Sequence, residues 1–421
     1  AEMGYLMDLP DFLHQLDVED AFHLRRAVER LREGLFDPVA VRLLTAHGAQ
    51  LTRAIDAGFR GVDAGRSPHL GIVGAYGQGK SHSLAYVQER ALEANFATSL
   101  INLDPREIPF QDTAQVYRAL MAALRFPDGD APIVSRWRSW AEAQRKRRGD
   151  LPNGALDLTP EELPLLMRTV LAAIAQRSLT LEANTRPPKR PPLHPRVVSL
   201  LLARALAGTP VPAAPLKQAI QARGAPILGP LTMRGPEAWL QAMQGIGYLV
   251  RQIGYNGWVV LFDEGESIAQ LSLRSRSRSY QHLHRLFKPE APVAGLFPIF
   301  AFTDDFLEKV KDEDYDRVSL RRGEQVPVFE RNYAHEWRDL NLYRLADLSA
   351  REWEELTGKL VHLHARAYRW HPAEARVNAA MRTRLAEFPS METRSKLKAL
   401  VDQLDLEQHA QAREQGLGLA M

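Results

Sequence analysis

The chain has 421 residues, of which 45% are hydrophobic and 25% are charged. This composition is close to average for soluble proteins, so it excludes fibrous, collagen-like and coiled-coil classes, and the length predicts two or three domains with at least one large core. The formal net charge is only +3, which by itself does not indicate nucleic-acid binding. The absence of cysteine excludes disulfides, thiolate metal sites and cysteine nucleophiles.

The longest apolar runs, residues 258–262 and 295–302, are too short to span a bilayer. The first ten residues carry acids and lack the basic, apolar and small-residue pattern of a secretory signal. We therefore expect a cytoplasmic protein that does not interact with a membrane.

The first third of the chain alternates between helical and strand patterns. Between residues 20 and 61, apolar side chains recur in steps of three and four, which predicts amphipathic helices. A short apolar run at 70–73 predicts a buried strand, followed by a glycine-rich loop and a helix over 81–94. A second strand is expected at 98–103 and a further helix at 113–124. This order predicts an α/β fold.

The stretch 126–254 differs in composition, because it is rich in arginine, proline and alanine. It predicts a helical insertion with a proline-rich surface loop at 186–192, where neither helix nor central strand can form. Strands are expected again at 258–262 and 297–302, with a helix at 280–287 between them. From Ser349 onward the pattern is helical, and Ser349 itself is expected to cap a helix.

The glycine-rich loop carries the clearest chemical signal. Its glycines allow the backbone to curl round phosphate oxygens at a helix N-terminus, its lysine would reach the β- and γ-phosphates, and its serine would ligate Mg²⁺. The alternative is a glycine-rich turn with a surface lysine. The residues predicted to bind the nucleotide are Gly74, Ala75, Tyr76, Gly77, Gln78, Gly79, Lys80, Ser81 and His82.

Two acids end the apolar strand at 258–262. Asp263 would hold Mg²⁺ together with Ser81, and Glu264 would polarise the attacking water as the general base. Glu266 is a substitute base that misses the expected register. The alternative is a strand end capped by solvated acids.

Further polar residues follow the next strand. Thr303, with Asp304 as a reserve, is predicted to sense the γ-phosphate, although a threonine here is equally consistent with a cap. Arg317, with Arg321 and Arg322 as alternatives, is predicted as an arginine finger that acts across a subunit interface. A solvated surface role is the alternative for each arginine.

Two arginine-rich segments suggest phosphate contacts. Residues 136–148 contain six basic residues, among which Trp137 and Trp140 are interleaved, and this pattern is compatible with nucleic-acid binding or with a solvated helix whose tryptophans are core. The Arg/Ser alternation at 274–278 is compatible with phosphate binding or with a mobile loop.

Together these motifs resemble the ATP-binding proteins of BREX-type phage-defence and related helicase-associated operons, relatives of the AAA+ origin-recognition and transposition ATPases. The resemblance covers residues 22–404 and rests on 34–38, 74–84, 102–107, 116–120, 263–264, 360–368 and 393–394. It implies a three-layer α/β/α core with a helical lid. It also implies that Arg394 is a second sensor of the γ-phosphate, the alternative being a surface arginine in a helix first turn.

The resemblance implies the following division of the chain: N-terminal helices packing on the core (1–65), the P-loop core (66–125 and 255–345), the insertion (126–254) and the lid (346–421). We expect ATP or ADP and Mg²⁺ as cofactors, and an ATPase that acts as a motor or switch. Its expected partners are DNA, a helicase or other defence proteins, and further copies of the chain. The alternative is a non-hydrolysing nucleotide-dependent scaffold or switch.

Overall fold

The computed structural model describes residues 9–35, 37–44, 48–148, 154–176, 193–314, 317–321, 324–388 and 392–414. The proline-rich loop predicted at 186–192 lies outside these residues. Within the described ranges, no helix combines the length and the apolar character needed to cross a bilayer.

The described residues form helices and strands in the following order. The helices are α1 (Leu9–Val18), α2 (Ala21–Glu33), α3 (Pro38–Leu44), α4 (Gly48–Asp63), α5 (Lys80–Glu93), α6 (Thr113–Ala122), α7 (Ile133–Arg148), α8 (Leu165–Ala175), α9 (Pro195–Leu206), α10 (Ala213–Ala222), α11 (Gly235–Gln252), α12 (Leu273–Phe287), α13 (Asp304–Glu308), α14 (Tyr333–Glu336), α15 (Ala350–Tyr368), α16 (Glu374–Glu387) and α17 (Thr393–Glu414). The strands are β1 (Leu70–Val73), β2 (Ala97–Asn102), β3 (Trp258–Asp263), β4 (Leu296–Phe302), β5 (Val318–Arg321), β6 (Glu324–Pro327) and β7 (Leu342–Arg344). Two 3-10 helices span Gly154–Leu158 and Gly265–Gln270, and a π-helix spans Lys309–Asp314.

A five-stranded parallel sheet forms the centre of the fold, with the strand order β2-β3-β4-β1-β7. The apolar runs that predicted β1, β3 and β4 are buried along their whole length. Strand β4 lies between β1 and β3, and the register pairs Val73 with Phe302 and Asn102 with Asp263. The carboxyl ends of four strands therefore meet at one edge, where open parallel sheets bind ligands.

Helices cover both faces of this sheet. On one face, Val259 and Leu261 pack with α4 and α5, and Gly58 allows α4 to approach so closely that a Cβ atom there would lie 2.2 Å from Phe297 Cζ. On the other face, Val260 and Phe262 pack with α6, α11 and α12. The α/β class is thus confirmed, with a parallel sheet between two helical layers.

The segment predicted as an insertion shares its core with the sheet. Helix α11 packs directly on β3, β4 and α6, so the predicted boundary at residue 254 divides this helix from the strands it covers. Helices α7, α9 and α10 pack on α8, and all four share the apolar core that contains α11. The segment shares this core because α11 has an apolar face, which includes the buried Leu240, Ile246 and Leu249.

The first and last helices of the described chain form one unit, which we call the terminal helical bundle (α1–α3 and α15–α17). A single core joins them, and it includes Leu24, Leu360 and Leu404. The bundle is also bonded across the sequence, because the side chain of Arg32 forms hydrogen bonds of 2.9 and 3.0 Å with Asp405. Of the N-terminal unit predicted over 1–65, α4 packs on the sheet and α3 packs on α5, while α1–α3 also share the core of the bundle. The predicted cap at Ser349 is present as a capping box at the start of α15.

Candidate functional site

The loop over 74–79 connects the end of β1 with α5, which begins at Lys80. The backbone N–H of Gly74 donates to Phe302 O (3.1 Å), so the loop starts beside the end of β4. Gly77 and Gly79 have φ values of +78° and +95°. Such left-handed conformations favour glycine, and they allow the backbone to turn its N–H groups toward the N-terminus of α5.

The side chain of Lys80 is buried within this loop. Its Nζ atom donates to Gly74 O and Ala75 O, each at 3.2 Å, and lies 3.6 Å from Glu266 Oε1. The alternative of a surface lysine in a glycine-rich turn does not fit a residue that is only 7% exposed. The ammonium group instead lies between the loop carbonyls and the acids that follow β3.

Contacts with residues far along the chain help to hold the loop, and no local sequence pattern indicates them. The Gln78 side chain accepts from the N–H of Ala75 (2.6 Å) and donates to Asp347 Oδ1 (2.8 Å). Glu392 lies against Gly77. The loop is therefore in contact with the segment that leads into α15 and with the residue before α17.

The acids after β3 occupy three different environments. Asp263 is buried and its Oδ1 atom accepts from the N–H of Glu264 (2.9 Å). Glu264 is exposed and has a left-handed φ of +57°, which is strained for a residue other than glycine. Glu266 lies on the first turn of the 3-10 helix. Burial, followed by the charges of Glu264 and Asp263, raises the pKa of the Glu266 carboxyl despite the nearby ammonium of Lys80.

A cavity separates the loop from the terminal helical bundle. Ser81, His82 and Glu264 line one side, and Arg394, from the first turn of α17, lines the other. The bundle and the segment before α15 add an apolar wall formed by Leu31, Leu35, Val41, Leu44, Leu348, Leu356 and Leu397. Burial lowers the pKa of His82 to about 4, so its imidazole is neutral at pH 7. The apolar wall was not predicted, because helix periodicity shows which face is apolar and not that part of it borders a cavity.

Five predicted site residues are not among those that line this cavity: Gly74, Ala75, Asp263, Thr303 and Arg317. Thr303 Oγ1 accepts from the N–H of Phe306 (3.3 Å) and caps α13. The Nε atom of Arg317 donates to Glu313 O (2.9 Å), outside the cavity. The reserve Asp304 forms an ion pair with Arg344. Of the alternative arginines, Arg321 ends β5 and Arg322 lies outside the described residues.

The basic segment over 136–148 forms α7 and makes structural contacts. Trp137 is fully buried, and its Nε1 atom donates to Leu171 O (2.8 Å). Arg136 lies 4.3 Å from the ring centroid of Phe126, and Arg138 donates to Ile174 O near the end of α8 (3.4 Å). These contacts favour the structural interpretation, because a buried Trp137 is not available to stack on bases.

The residues present fit a nucleotide and a magnesium ion. The glycine cradle offers backbone N–H groups at a helix N-terminus, and a Cβ atom at Gly74 would lie 2.9 Å from Gln78 Oε1 and 3.1 Å from Leu345 Cβ, so a side chain there would displace the neighbours that hold the loop. Ser81 and Asp263 supply hydroxyl and carboxylate oxygens, the ligands that Mg²⁺ prefers. The lysine, the cradle and the oxygen ligands thus suit a phosphate group with its metal.

Comparison with known proteins identifies the family. The model of the BREX system ATP-binding proteins BrxC/D matches residues 23–179 and 232–417. The chain belongs to this family. The match omits residues 180–231, so α9 and α10 lie outside the part that the BrxC/D model describes.

No curated protein matches the chain. Among solved structures, the chain is similar to a Walker-type ATPase of Pyrococcus abyssi, with 10% sequence identity and a TM-score of 0.33. That similarity covers 89% of this chain and 75% of the archaeal one. The predicted resemblance to BREX ATP-binding proteins is thus confirmed by the family match, which also makes this chain an ATP-binding P-loop protein of phage defence.

Proposed function

We propose that the chain hydrolyses ATP in the cavity between the phosphate loop and the terminal helical bundle. The position of Lys80 carries this proposal. Its ammonium group is buried between two loop carbonyls and a cluster of acids at the end of β3. A lysine so placed is in reach of phosphates held by the loop and of the acids that would act on the terminal one.

Each side of the cavity would bind a different part of the nucleotide. The loop N–H groups and Lys80 would bind the phosphates, because a helix N-terminus attracts anions. The leucines of the apolar wall would pack against the base, since ligand pockets are lined mainly by apolar side chains with a few placed polar groups. The chain would therefore bind ATP between the sheet and the bundle.

The two acids at the end of β3 would have different roles in hydrolysis. Asp263 and Ser81 would hold Mg²⁺, which when bound neutralises charge on the phosphate oxygens. Glu264 would accept a proton from the attacking water, and its exposure at the cavity wall supports access to that water. Thr303 and Arg317 would contribute only after a rearrangement or from a neighbouring subunit, because neither lines the cavity.

The terminal helical bundle would act as a lid that couples the nucleotide to partners. Arg394 lines the cavity from α17, which supports a role as the second sensor. We propose that movement of the bundle during the ATP cycle acts on DNA-processing or other defence proteins, including a helicase, in the cytoplasm. We also propose that copies of the chain assemble so that Arg317 of one copy is directed at the cavity of its neighbour. Family membership supports the link to defence partners.

ATP turnover by the full chain tests the proposal. Turnover should be measured with and without DNA for the wild type, Glu264→Gln and the matched control Glu107→Gln, whose side chain is exposed outside the cavity. We expect Glu264→Gln to lower kcat by about 100-fold or more, as for loss of a general base, and Glu107→Gln to have no effect. Equal turnover by the wild type and Glu264→Gln would remove Glu264 from this role.

Nucleotide binding should be measured separately. We expect the wild type to bind a fluorescent ADP analogue and Lys80→Ala to lose this binding. Binding without turnover, with DNA present or absent, would favour the non-hydrolysing scaffold.

A further inference from the structure

The partners of Lys80 include a carboxylate that the proposed mechanism does not use. The ammonium group has three protons, and two are directed at Gly74 O and Ala75 O. The remaining neighbour is Glu266, whose Oε1 atom lies 3.6 Å from Nζ. Both side chains are largely buried, with 8% of the lysine and 17% of the glutamate exposed. The pair is therefore poorly screened by water.

The backbone fixes Glu266 in this position. The left-handed conformation of Glu264 turns the chain, and the N–H of Ser267 donates to Glu264 O (2.9 Å). Gly265 packs against β4, where a Cβ atom would lie 2.5 Å from Ala301 O. Ile268 is 1% exposed and anchors the same short helix in the core. The glutamate therefore has little freedom to move away from the loop.

The carboxylate of Glu266 has little other compensation. Its Oε2 atom is buried and has no hydrogen-bond partner among the described residues. The neighbouring acids, Asp263 and Glu264, carry the same charge. Burying a carboxylate is costly, and the charged form is stabilised first by the backbone N–H of Glu266 itself and then by the ammonium of Lys80. Lys80 is thus the favourable partner that the Glu266 side chain has on the phosphate loop.

We propose that Glu266 is a positioning residue that holds Lys80 in the nucleotide-free loop and competes with the phosphates of the nucleotide for it. This inference rests on the proposed function. Lys80 has too few protons to serve the loop carbonyls, Glu266 and a phosphate together. Binding of a nucleotide breaks the pair and leaves Glu266 without its partner on the loop, beside two further acids. Glu266 thereby weakens nucleotide binding and favours release.

Affinity for ADP measures this competition directly. A fluorescent ADP analogue should be titrated, without Mg²⁺, into the full-length wild type, Glu266→Gln and the exposed control Glu107→Gln. Glu266→Gln keeps the shape of the side chain and removes its charge. We expect its Kd to fall about tenfold, as for removal of one partly screened charge, whereas Glu107→Gln should bind like the wild type.

A second variant distinguishes the ion pair between Lys80 and Glu266 from the net negative charge of the site. Glu264→Gln also removes a negative charge at this site, but its carboxylate is exposed and is not the one that faces Lys80 at 3.6 Å. The inference requires a larger fall in Kd for Glu266→Gln than for Glu264→Gln. Equal effects of the two variants would show that only the net charge matters and would overturn it. Glu266→Ala, which removes the whole carboxyl, must shift the Kd in the same direction as Glu266→Gln.

The remaining outcomes are also decisive. An unchanged or higher Kd in Glu266→Gln, with the wild type binding ADP, overturns this inference alone. Loss of turnover at saturating ATP in Glu266→Gln, with turnover retained in Glu264→Gln, would make Glu266 the general base instead. If the wild type itself fails to bind ADP, the proposed function fails and the inference fails with it.

Discussion

Glu392 lies against Gly77, so that a Cβ atom on this glycine would be 2.6 Å from Glu392 Cδ. The contact joins the phosphate loop to the residue that precedes α17, and both residues line the cavity. Gly77 also has a φ of +78°, which any other residue adopts with strain. The backbone conformation therefore favours glycine at this position, and a side chain there would also displace Glu392.

Gly77→Ala is expected to weaken nucleotide binding by about tenfold, because the left-handed conformation costs about 1–2 kcal/mol for alanine. The measurement is the Kd for ADP. Adding Glu392→Ala removes the steric contact but not the backbone strain, so the double variant should recover only part of the affinity. Full recovery would show that the contact alone sets the requirement for glycine.

A buried ion pair links α12 to the π-helix after β4. Asp314 is 1% exposed, its Oδ2 atom accepts from Tyr280 (2.7 Å), and the Nε atom of Arg276 lies 3.2 Å from the same oxygen. Asp314→Ala is expected to lower the free energy of unfolding by about 3–5 kcal/mol, because it leaves the charge of Arg276 buried and unpaired. Denaturant unfolding measures the change.

The matched control is Asp312→Ala, because Asp312 is exposed on the same π-helix. It should change the free energy of unfolding by less than about 0.5 kcal/mol. Tyr280→Phe removes a single hydrogen bond and should cost about 1 kcal/mol. A loss as small for Asp314→Ala as for Asp312→Ala would contradict the role assigned to the pair.

His69 is expected to make stability depend on pH. Its Nε2 atom accepts from the N–H of Asn341 (3.0 Å), and its ring stacks on Phe287 with centroids 4.8 Å apart. Burial, followed by the charge of Lys288, lowers its pKa to about 4, whereas the unfolded chain has an ordinary histidine pKa near 6.5. The unfolded state thus binds more protons between these values, and stability falls as the pH drops from about 6.5 to 4.

His69→Gln should remove this contribution, on the order of 2 kcal/mol over that window, and leave a flatter curve of unfolding free energy against pH. The exposed His371→Gln is the control and should follow the wild type. Identical slopes for His69→Gln and the wild type would contradict the prediction.

Trp137→Phe should destabilise the fold without changing nucleotide affinity. It removes the hydrogen bond to Leu171 O and leaves a cavity, at a cost of about 2 kcal/mol. Trp140→Phe should cost less, because Trp140 is only partly buried. Arg147→Ala tests DNA binding by the exposed side of α7: a weaker Kd for DNA at low salt would show a phosphate contact there, and an unchanged Kd would show none.

The local sequence predicted the phosphate loop and the strands that carry it. The apolar runs of β1, β3 and β4 are buried on both faces, and such strands read as continuous hydrophobic segments. The acids at 263–264 directly follow the apolar run of β3, which predicts their position at the carboxyl edge of the sheet. These predictions depended on neighbouring residues alone, so no knowledge of the tertiary structure was needed.

The elements that were missed depend on distant contacts. Strand β7 has three residues and is only partly buried, so it shows no apolar run, and its pairing with β1 forms it. The Arg/Ser alternation at 274–278, for which a mobile loop was one interpretation, forms the first turn of α12. Arg276 turns inward to Asp314, whereas Arg274 and Arg278 point outward. The helix predicted over 280–287 therefore begins earlier, at Leu273, because the buried side of its first turns carries Arg276 and Ser277 in place of apolar residues.

The terminal helical bundle has a consequence for protein synthesis. The Nε atom of Arg25 on α2 donates to Ala367 O at the end of α15 (2.9 Å), and the two residues are 342 positions apart. On the ribosome, α1–α3 therefore emerge long before the helices that complete their core. Their apolar faces stay uncovered while the sheet and the segment 126–254 are being translated, which makes chaperone binding at this stage an expected requirement for efficient folding.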